Sequence, residues 1–444
     1  MILCKKMACY LILGFVISVG CAEAQAKSSL DEIVAVDLLT VKKPMSEAES
    51  RLRVIRLTTR GGAMGYGDYL EFGLTAENEE ETLARLVNRY AEQKYKKNVF
   101  LTDPSMRAVG VGHTVLGQTA QQLLHAEPIT DLGVNALFPR EGFAPMWQGP
   151  GKSGLIIALQ AALLDLAEER ESCRVQLCPS ISIDREVDGK RRLNTPDEMQ
   201  QTIESLKQAG FRAVRLELTG ALEVEMKARG ECAPYRYPME VLGLIDSLVL
   251  ASKKAAGTEM ELIVAANMNL STDGMTLMAL HCQRNEVALL ENPMALRHLS
   301  EQSKARQEFK QALGFGGDYH MIEDFVQGIK QHAGTVLVPD AGRIGGVTML
   351  ARTLDLAKEA NLKVAPMVQA GPLSLLAVAR SLSGREEVLW VTSPNQDQWL
   401  RNDGVLKPPL RVAQGSLVED SYEIVETKFE IKSIVREETK TKEK

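Results

Sequence analysis

Eight short apolar runs, separated by helical patterns, constrain the fold of residues 175–391 more than any other feature of the sequence. Each run has the length of a buried strand, and the segments between them carry apolar residues at helical spacing. Repeated strand–helix units are typical of a parallel sheet, because two parallel strands need a long crossover between them. Eight units favour a barrel, whose chemistry lies at the carboxyl ends of the strands. The predicted strands are 175–183, 213–218, 262–266, 287–290, 319–322, 335–338, 362–365 and 388–391.

A smaller α+β unit precedes the predicted barrel. It combines alternating apolar and polar strands, a turn with a short returning strand whose glycines are expected to supply positive φ angles, and a helix. A loop-rich stretch follows, and the next helix carries alanines on one face, which suits close packing. These features are the strands 33–39 and 53–59, the turn 61–68, the helix 79–95, the loops 101–152 and the helix 153–169 with Ala158, Ala161 and Ala162.

The first 26 residues have the pattern of a secretory signal peptide. Two lysines precede an apolar run over residues 7–19, and two small-x-small motifs end at Ala24 and Ala26. The apolar run is shorter than the roughly 20 residues that a membrane-spanning helix needs. We therefore expect export to the periplasm or the extracellular space without a membrane span. A lipid anchor on Cys21 is the alternative.

Composition excludes some classes of partner and leaves the cysteines undecided. The chain has 444 residues and a formal net charge of -6, so it lacks the basic excess typical of nucleic-acid binding. Residues 428–444 are rich in lysine and glutamate and predict a solvated tail. Beyond the signal, disulfides and free thiols both stay open, because four cysteines allow three pairings. The four are Cys173, Cys178, Cys232 and Cys282.

Polar side chains stand at the carboxyl ends of several predicted strands. A barrel gathers such positions around one site, so these residues are the candidates for its chemistry. They are Arg215 and Glu217 on strand two, Asn267 after strand three, Glu291 after strand four, Glu323 after strand five and Asp340 after strand six.

Four landmarks carry a resemblance to a known family. They are the glycine-containing segment 64–68, the alanine-rich helix with Asp165, the sequence Glu291-Asn292-Pro293, and Pro339-Asp340 followed by Ile-Gly-Gly-Val-Thr at 344–348. In this order they resemble the mandelate racemase and muconate-lactonizing branch of the enolase superfamily. The resemblance implies a modified (β/α)7β TIM-like barrel with an N-terminal α+β capping domain.

The same resemblance implies a division of the chain. We expect a signal peptide over 1–26, the capping domain with its loop-rich part over 27–150 and the barrel over 151–400. Residues 401–444 then form a segment that returns to the capping domain, followed by the charged tail.

The resemblance also implies a metal site. In that family three carboxylates at the ends of strands three to five bind a divalent cation, usually magnesium. The cation stabilises the enolate that forms when a base removes a proton next to a carboxylate. Glu291, Glu323 and Asn267 become candidate ligands, whereas the strand-three aspartate aligns with Ala265. Because magnesium often keeps several waters, the expectation is a weakened Mg²⁺ site.

The bases of the family are altered as well. The Lys-x-Lys sequence of strand two becomes Arg215-Leu216-Glu217, and an Asp–His dyad keeps Asp340 but has Met367 in place of histidine. Arg215, Glu217 and Asp340 are the candidate catalytic residues. Arg215 either holds a substrate carboxylate or pairs with Glu217 or Asp340. Glu217 either replaces the missing ligand or pairs with Arg215, and Asp340 is either a base or a structural acid.

Two functions follow from this pattern. The first is a magnesium-dependent lyase (dehydratase) or isomerase (racemase or cycloisomerase) acting next to the carboxylate of a small, acid-sugar-like substrate. The second is a degenerate member that binds a small carboxylate without abstracting a proton. Each lost acid–base group is worth roughly 10²–10⁴-fold in rate, but the retained Glu291, Glu323 and Asp340 favour the enzyme. The resemblance also implies a homo-oligomer.

Overall fold

The structure is a computed structural model. It describes residues 33–42, 52–70, 83, 150–166, 174–187, 190–218, 239–267, 270–382, 384–393, 406–408, 410–418 and 422–436. The predicted signal peptide lies outside these residues, as do the helix predicted over 79–95, apart from helical Leu83, and nearly all of the predicted loops 101–152.

A four-stranded antiparallel sheet forms the N-terminal unit, in the order β18-β1-β2-β3. The first three strands follow the predicted pattern, but the fourth comes from the other end of the chain. The prediction of a solvated tail is therefore wrong for residues 429–436, which pair with β1. Phe429 is buried at the start of this strand, whereas Ile431 on the same face is exposed. The strands are β1 (Ile33–Val41), β2 (Leu52–Thr59), β3 (Met64–Leu70) and β18 (Phe429–Arg436).

The first helix, α1 (Pro150–Leu166), packs closely on β3. Gly65 and Gly67 make this approach feasible: a Cβ atom on Gly67 would lie 1.8 Å from the backbone oxygen of Ala158. The sequence attributed positive φ angles to the glycines of this segment. Within β3 that is wrong, because no positive φ occurs at Gly65 or Gly67 and only Gly62, in the preceding turn, has one (87°).

Parallel strands build the barrel in the order β12-β11-β10-β9-β8-β7-β4. The eighth strand, β13, is parallel to β4. The continuous ladder ends at β12, and isolated parallel bridges, Val364 with Val388 and Met367 with Thr392, make the step to the eighth strand. The strands are β4 (Arg174–Ser182), β7 (Ala213–Glu217), β8 (Glu261–Ala265), β9 (Leu289–Glu291), β10 (Leu313–Phe315), β11 (Val336–Leu337), β12 (Lys363–Val364) and β13 (Val391–Ser393).

Helices connect these strands, as predicted for a parallel sheet. The second helix shows how the sequence sets a boundary: Thr195 caps it through its side chain, Glu198 completes a capping box, and Pro196 occupies the first turn. The helices are α2 (Pro196–Gln208), α3 (Met239–Ala256), α4 (Thr272–Arg284), α5 (Leu299–Arg306), α6 (Ile322–Lys330), α7 (Ala341–Ile344), α8 (Gly346–Glu359) and α9 (Pro372–Ser381).

The predicted fifth strand, 319–322, is wrong. The fifth barrel strand is β10, which pairs with β9 and β11, and residues 322–330 form α6. Gly314 and Gly316 flank Phe315. Because glycine is disfavoured in strands in general, the sequence pattern does not predict a strand here. Here a Cβ atom at Gly314 would lie 2.8 Å from Val338, and Gly316 has a φ of 112°. Glu323 consequently lies on a helix and not at a strand end.

Smaller elements complete the described part of the chain. They are the hairpin strands β5 (Asp184–Val187) and β6 (Lys190–Leu193), and the later strands β14 (Leu406–Lys407), β15 (Arg411–Ala413), β16 (Ser416–Val418) and β17 (Glu423–Ile424). Cys178 and Cys282 are buried free thiols, whereas Cys173 and Cys232 lie outside the described residues. Among the helices that the structure describes, none has the length and apolarity to cross a membrane.

Candidate functional site

Three residues share one level at the carboxyl end of the barrel. Glu217 on β7 is in register with Ala265 on β8, and Ala265 is in register with Glu291 on β9. In-register residues of neighbouring parallel strands point to the same side of the sheet. The level therefore holds two carboxylates on either side of an alanine, whose methyl group leaves space between them.

Arg215 fills the position between these carboxylates. It lies two residues before Glu217 on the same face of β7, and it is among the largest fully buried side chains in the described structure. Its Nε atom donates to Oε1 of Glu291 at 2.8 Å, and one terminal nitrogen donates to Glu217. The guanidinium thus bridges strands β7 and β9 across Ala265.

Two neutral groups complete the surroundings of the guanidinium. Ser180 on β4 accepts a hydrogen bond from Arg215 at 2.9 Å and donates one to Glu217 at 2.8 Å. Oδ1 of Asn267 accepts from the other terminal nitrogen at 2.9 Å. Of the alternatives left open for Glu217, the structure shows the pairing with Arg215. Glu291, which the resemblance assigned to a metal, is also a partner of Arg215.

Burial and charge act in opposite directions on this cluster. Burial alone would lower the pKa of Arg215, but the negative charges of Glu291 and Glu217 outweigh burial and raise it. Burial raises the pKa of Glu291, and the charge of Arg215 opposes that rise. An unpaired charge at this depth is costly, so Arg215 and Glu291 stabilise each other through their opposite charges.

Asp340 lies nearby but is held by backbone groups. Its Oδ1 accepts from the backbone nitrogens of Gly342, at 3.0 Å, and Gln369, at 3.3 Å, and so caps α7. Burial raises the pKa of Asp340 to about 6, against the opposing charges of Arg343 and Arg215. These contacts favour the structural interpretation of Asp340 over the role of a base.

Met367 occupies the position where the family's dyad has histidine. Its backbone forms a parallel bridge with Asp340, and its side chain is buried. A thioether cannot take up a proton at neutral pH. Met367 therefore packs in the core and cannot act as a base.

The residues present do not fit a magnesium ion. Oε1 of Glu291 and Oδ1 of Asn267 both accept hydrogen bonds from Arg215. The strands beside Glu291 carry Ala265 and Gly314 at its level, and neither side chain offers an oxygen. Glu323 is exposed in the first turn of α6. Within the described ranges, no group of three or more His, Cys, Asp or Glu residues is arranged to hold a metal ion.

Two residues of the site were not among the sequence candidates. Ser180 sits inside an apolar strand, and its signal was the alternation of polar residues with apolar neighbours along β4. Arg343 lies in α7 with its Nε 3.7 Å from Oδ2 of Asp340, and its side chain is 22% exposed. Nothing in the sequence alone distinguishes Arg343 from the other arginines, because its proximity to Asp340 depends on the helical turn between them.

Comparisons with known proteins agree with this architecture. A mandelate racemase/muconate lactonizing enzyme from Jannaschia sp. CCS1 is similar in structure with a TM-score of 0.65 and 15% identity, over 89% of this chain and 96% of that one. One from a Sulfitobacter species matches with a TM-score of 0.64 and 14% identity, over 89% and 94%. A racemase from Streptomyces coelicolor A3(2) with bound magnesium matches with a TM-score of 0.59 and 18% identity, over 88% and 94%. At such identities these similarities show the fold.

The sequence itself gives one family match. The search of curated proteins finds no match. The family model described as "Enolase C-terminal domain-like" matches residues 198–420, about half of the 444-residue chain. This span contains Arg215, Glu217, Glu291 and Asp340. The chain therefore belongs to the enolase superfamily, in its mandelate racemase and muconate-lactonizing branch.

Proposed function

We propose that this protein binds a small, acid-sugar-like carboxylate at the carboxyl end of its barrel and does not carry out metal-dependent proton abstraction. One observation carries the proposal: the guanidinium of Arg215 is bound to Glu291, Glu217 and Asn267. These are the residues that a metal-dependent member would need for its cation or its bases. The family's histidine position holds buried Met367, and Asp340 caps a helix.

The groups left at the edge of this cluster support a polar ligand. The Glu217 side chain is 30% exposed, so its carboxylate can accept hydrogen bonds from ligand hydroxyls. Arg343 is also partly exposed, and its planar guanidinium matches the geometry of a ligand carboxylate. We assign the hydroxyl contacts to Glu217 and the carboxylate contact to Arg343.

Deuterium exchange tests the proposal directly. A panel of acid sugars and 2-hydroxy acids is incubated with the protein in D₂O, with and without Mg²⁺ in excess over the protein. Proton NMR then follows the hydrogen next to the carboxylate. We expect no exchange in either condition, together with a ligand-dependent rise in Tm that Arg343→Gln abolishes.

Magnesium-dependent exchange or dehydration would overturn this proposal. It would instead establish the lyase or isomerase that was the leading prediction from the sequence. A ligand effect on Tm that persists in Arg343→Gln would assign the carboxylate contact elsewhere.

The cellular location is proposed from the sequence pattern of the first 26 residues. We propose export, with a mature chain that begins at Gln25 or Lys27 after cleavage by signal peptidase. Mass spectrometry of the N-terminal peptide from cells that make the protein tests this. An N-terminus at a lipidated Cys21 would establish the alternative, and an intact Met1 would exclude export.

A further inference from the structure

The level formed by Glu217, Ala265 and Glu291 resembles a cation-binding site in which a side-chain cation, the guanidinium of Arg215, takes the place of a metal ion. Two carboxylates stand on β7 and β9, and the strand between them contributes only a methyl group. The gap is occupied by a fixed positive charge from the same chain, since Arg215 contacts both carboxylates.

The fit of Arg215 in this gap is specific in both charge and hydrogen bonding. Guanidinium is planar and carries five N–H donors, and four hydrogen bonds from it are made here, to Glu291, Glu217, Ser180 and Asn267. The other oxygen of Glu291, Oε2, is buried without a hydrogen-bond partner in the described structure. This oxygen could act as a ligand to a divalent cation if the guanidinium were absent.

We infer that Arg215 is a built-in replacement for a divalent cation, and that removing it together with Ala265→Asp creates a cation site between β7, β8 and β9. The inference rests on the proposed function, because a barrel that needed a metal would not keep a guanidinium there. The new aspartate would stand between Glu217 and Glu291 in register. Three carboxylates on adjacent strands are the oxygen ligands that magnesium and manganese prefer.

The experiment compares cation binding by wild type, Arg215→Ala, Ala265→Asp and the double variant Arg215→Ala/Ala265→Asp. Binding of Mn²⁺ is measured by electron paramagnetic resonance of the free ion and confirmed with Mg²⁺ by calorimetry. We expect the double variant to bind Mn²⁺ at least about 10-fold more tightly than wild type, a difference that corresponds to about 1.4 kcal/mol. A further variant, Arg215→Lys/Ala265→Asp, keeps a positive charge and should not bind the cation.

Loss of stability in the double variant does not end the test. A cation that binds only the folded state raises Tm with concentration, so a Tm that rises with Mn²⁺ in the double variant but not in Arg215→Lys/Ala265→Asp is the second readout. Equal affinity in wild type and the double variant would overturn the inference, as would a folded double variant with no Mn²⁺ binding. The proposed function fails separately, through Mg²⁺-dependent deuterium exchange in the wild-type protein.

Discussion

Arg215 is the residue on which the charged end of the barrel depends. Its guanidinium and the carboxylate of Glu291 are each 1% exposed, so neither charge has solvent to stabilise it. The two attract each other strongly in such surroundings, but each also lost its hydration on folding. The pair is therefore a feature of specificity and charge balance more than a source of large net stability.

Replacing Arg215 by methionine should be costly, and the cost should depend on Glu291. We expect Arg215→Met to lower the free energy of unfolding at pH 7 by about 3–5 kcal/mol, because it leaves a buried carboxylate unpaired. The double variant Arg215→Met/Glu291→Gln should recover part of this loss. Urea unfolding of both variants and of Glu291→Gln closes the cycle. Strictly additive losses would show that Arg215 and Glu291 are not coupled.

Residue contacts at this site were only partly predictable from sequence. The pairing of Arg215 with Glu217 was among the alternatives that the sequence left open, because residues two apart on a strand share a face. The contact with Glu291 was not, since it requires a side chain to reach across β8 to β9. The space that the Arg215 side chain crosses exists because Ala265 lies in register between the two carboxylates. That arrangement depends on the register of three strands.

At the scale of elements, β3 and α1 form the most extensive helix–sheet contact of the described N-terminal sheet. The alanine face predicted for the helix is confirmed by the burial of Ala158 and Ala162. The sequence did not indicate that Gly65 and Gly67 form the strand side of this contact, because glycines near a strand are usually predicted to be turn residues. The close approach of backbone to backbone is what makes them necessary.

Gly67→Ala should destabilise the protein, whereas the same change at Gly243 should not. A Cβ atom at Gly67 would overlap the backbone of Ala158, and such overpacking costs about 1–3 kcal/mol or more. Gly243 lies in α3, and a Cβ atom there would meet no atom within 4 Å. Gly243→Ala should raise stability by about 0.5–1 kcal/mol through helix propensity. Equal unfolding free energies for the two variants in urea would contradict the packing argument.

At the scale of the whole molecule, most of the barrel was predictable from periodicity because its strands are apolar and the segments between them carry apolar residues at helical spacing. Seven of the eight predicted strands coincide with or touch an observed strand, and the exception is the three-residue β10. The alternation of apolar and charged residues at the start of β18 is typical of a strand, but it does not identify β1, near the other end of the chain, as the partner. The pairing of segments that lie far apart along the chain leaves no local signal in the sequence.

Asp68 connects the N-terminal sheet to the barrel. It extends from β3 to the start of α9, where its carboxylate accepts from the backbone nitrogens of Leu373 at 2.7 Å and Ser374 at 2.9 Å. Those donors favour the charged form, but complete burial disfavours it more strongly and raises the pKa of Asp68 to about 6. The linkage between the two units is therefore sensitive to pH.

The sign of this sensitivity follows from the direction of the shift. A carboxyl whose pKa is near 4 when unfolded and about 6 when folded binds its proton more tightly in the folded state. Its contribution to the free energy of unfolding thus falls by roughly 3 kcal/mol as pH rises from about 4 to above 6. Asp68→Asn has no titrating carboxyl at this position, so its free energy of unfolding should rise relative to that of wild type over that interval. The variant is nevertheless less stable than wild type overall, because its amide donor is mismatched to the site.

Urea unfolding at pH 4.5 and 7.5 measures the difference between Asp68→Asn and wild type. The control is Gly243→Ala, which adds a methyl group in α3 where a Cβ atom meets no atom within 4 Å, and which leaves the carboxyl of Asp68 and its donors in place. Its difference from wild type should be the same at both pH values. If the free energy of unfolding of Asp68→Asn instead falls relative to that of wild type as pH rises, the two backbone donors of α9 outweigh burial. The carboxylate would then stabilise the junction in its charged form.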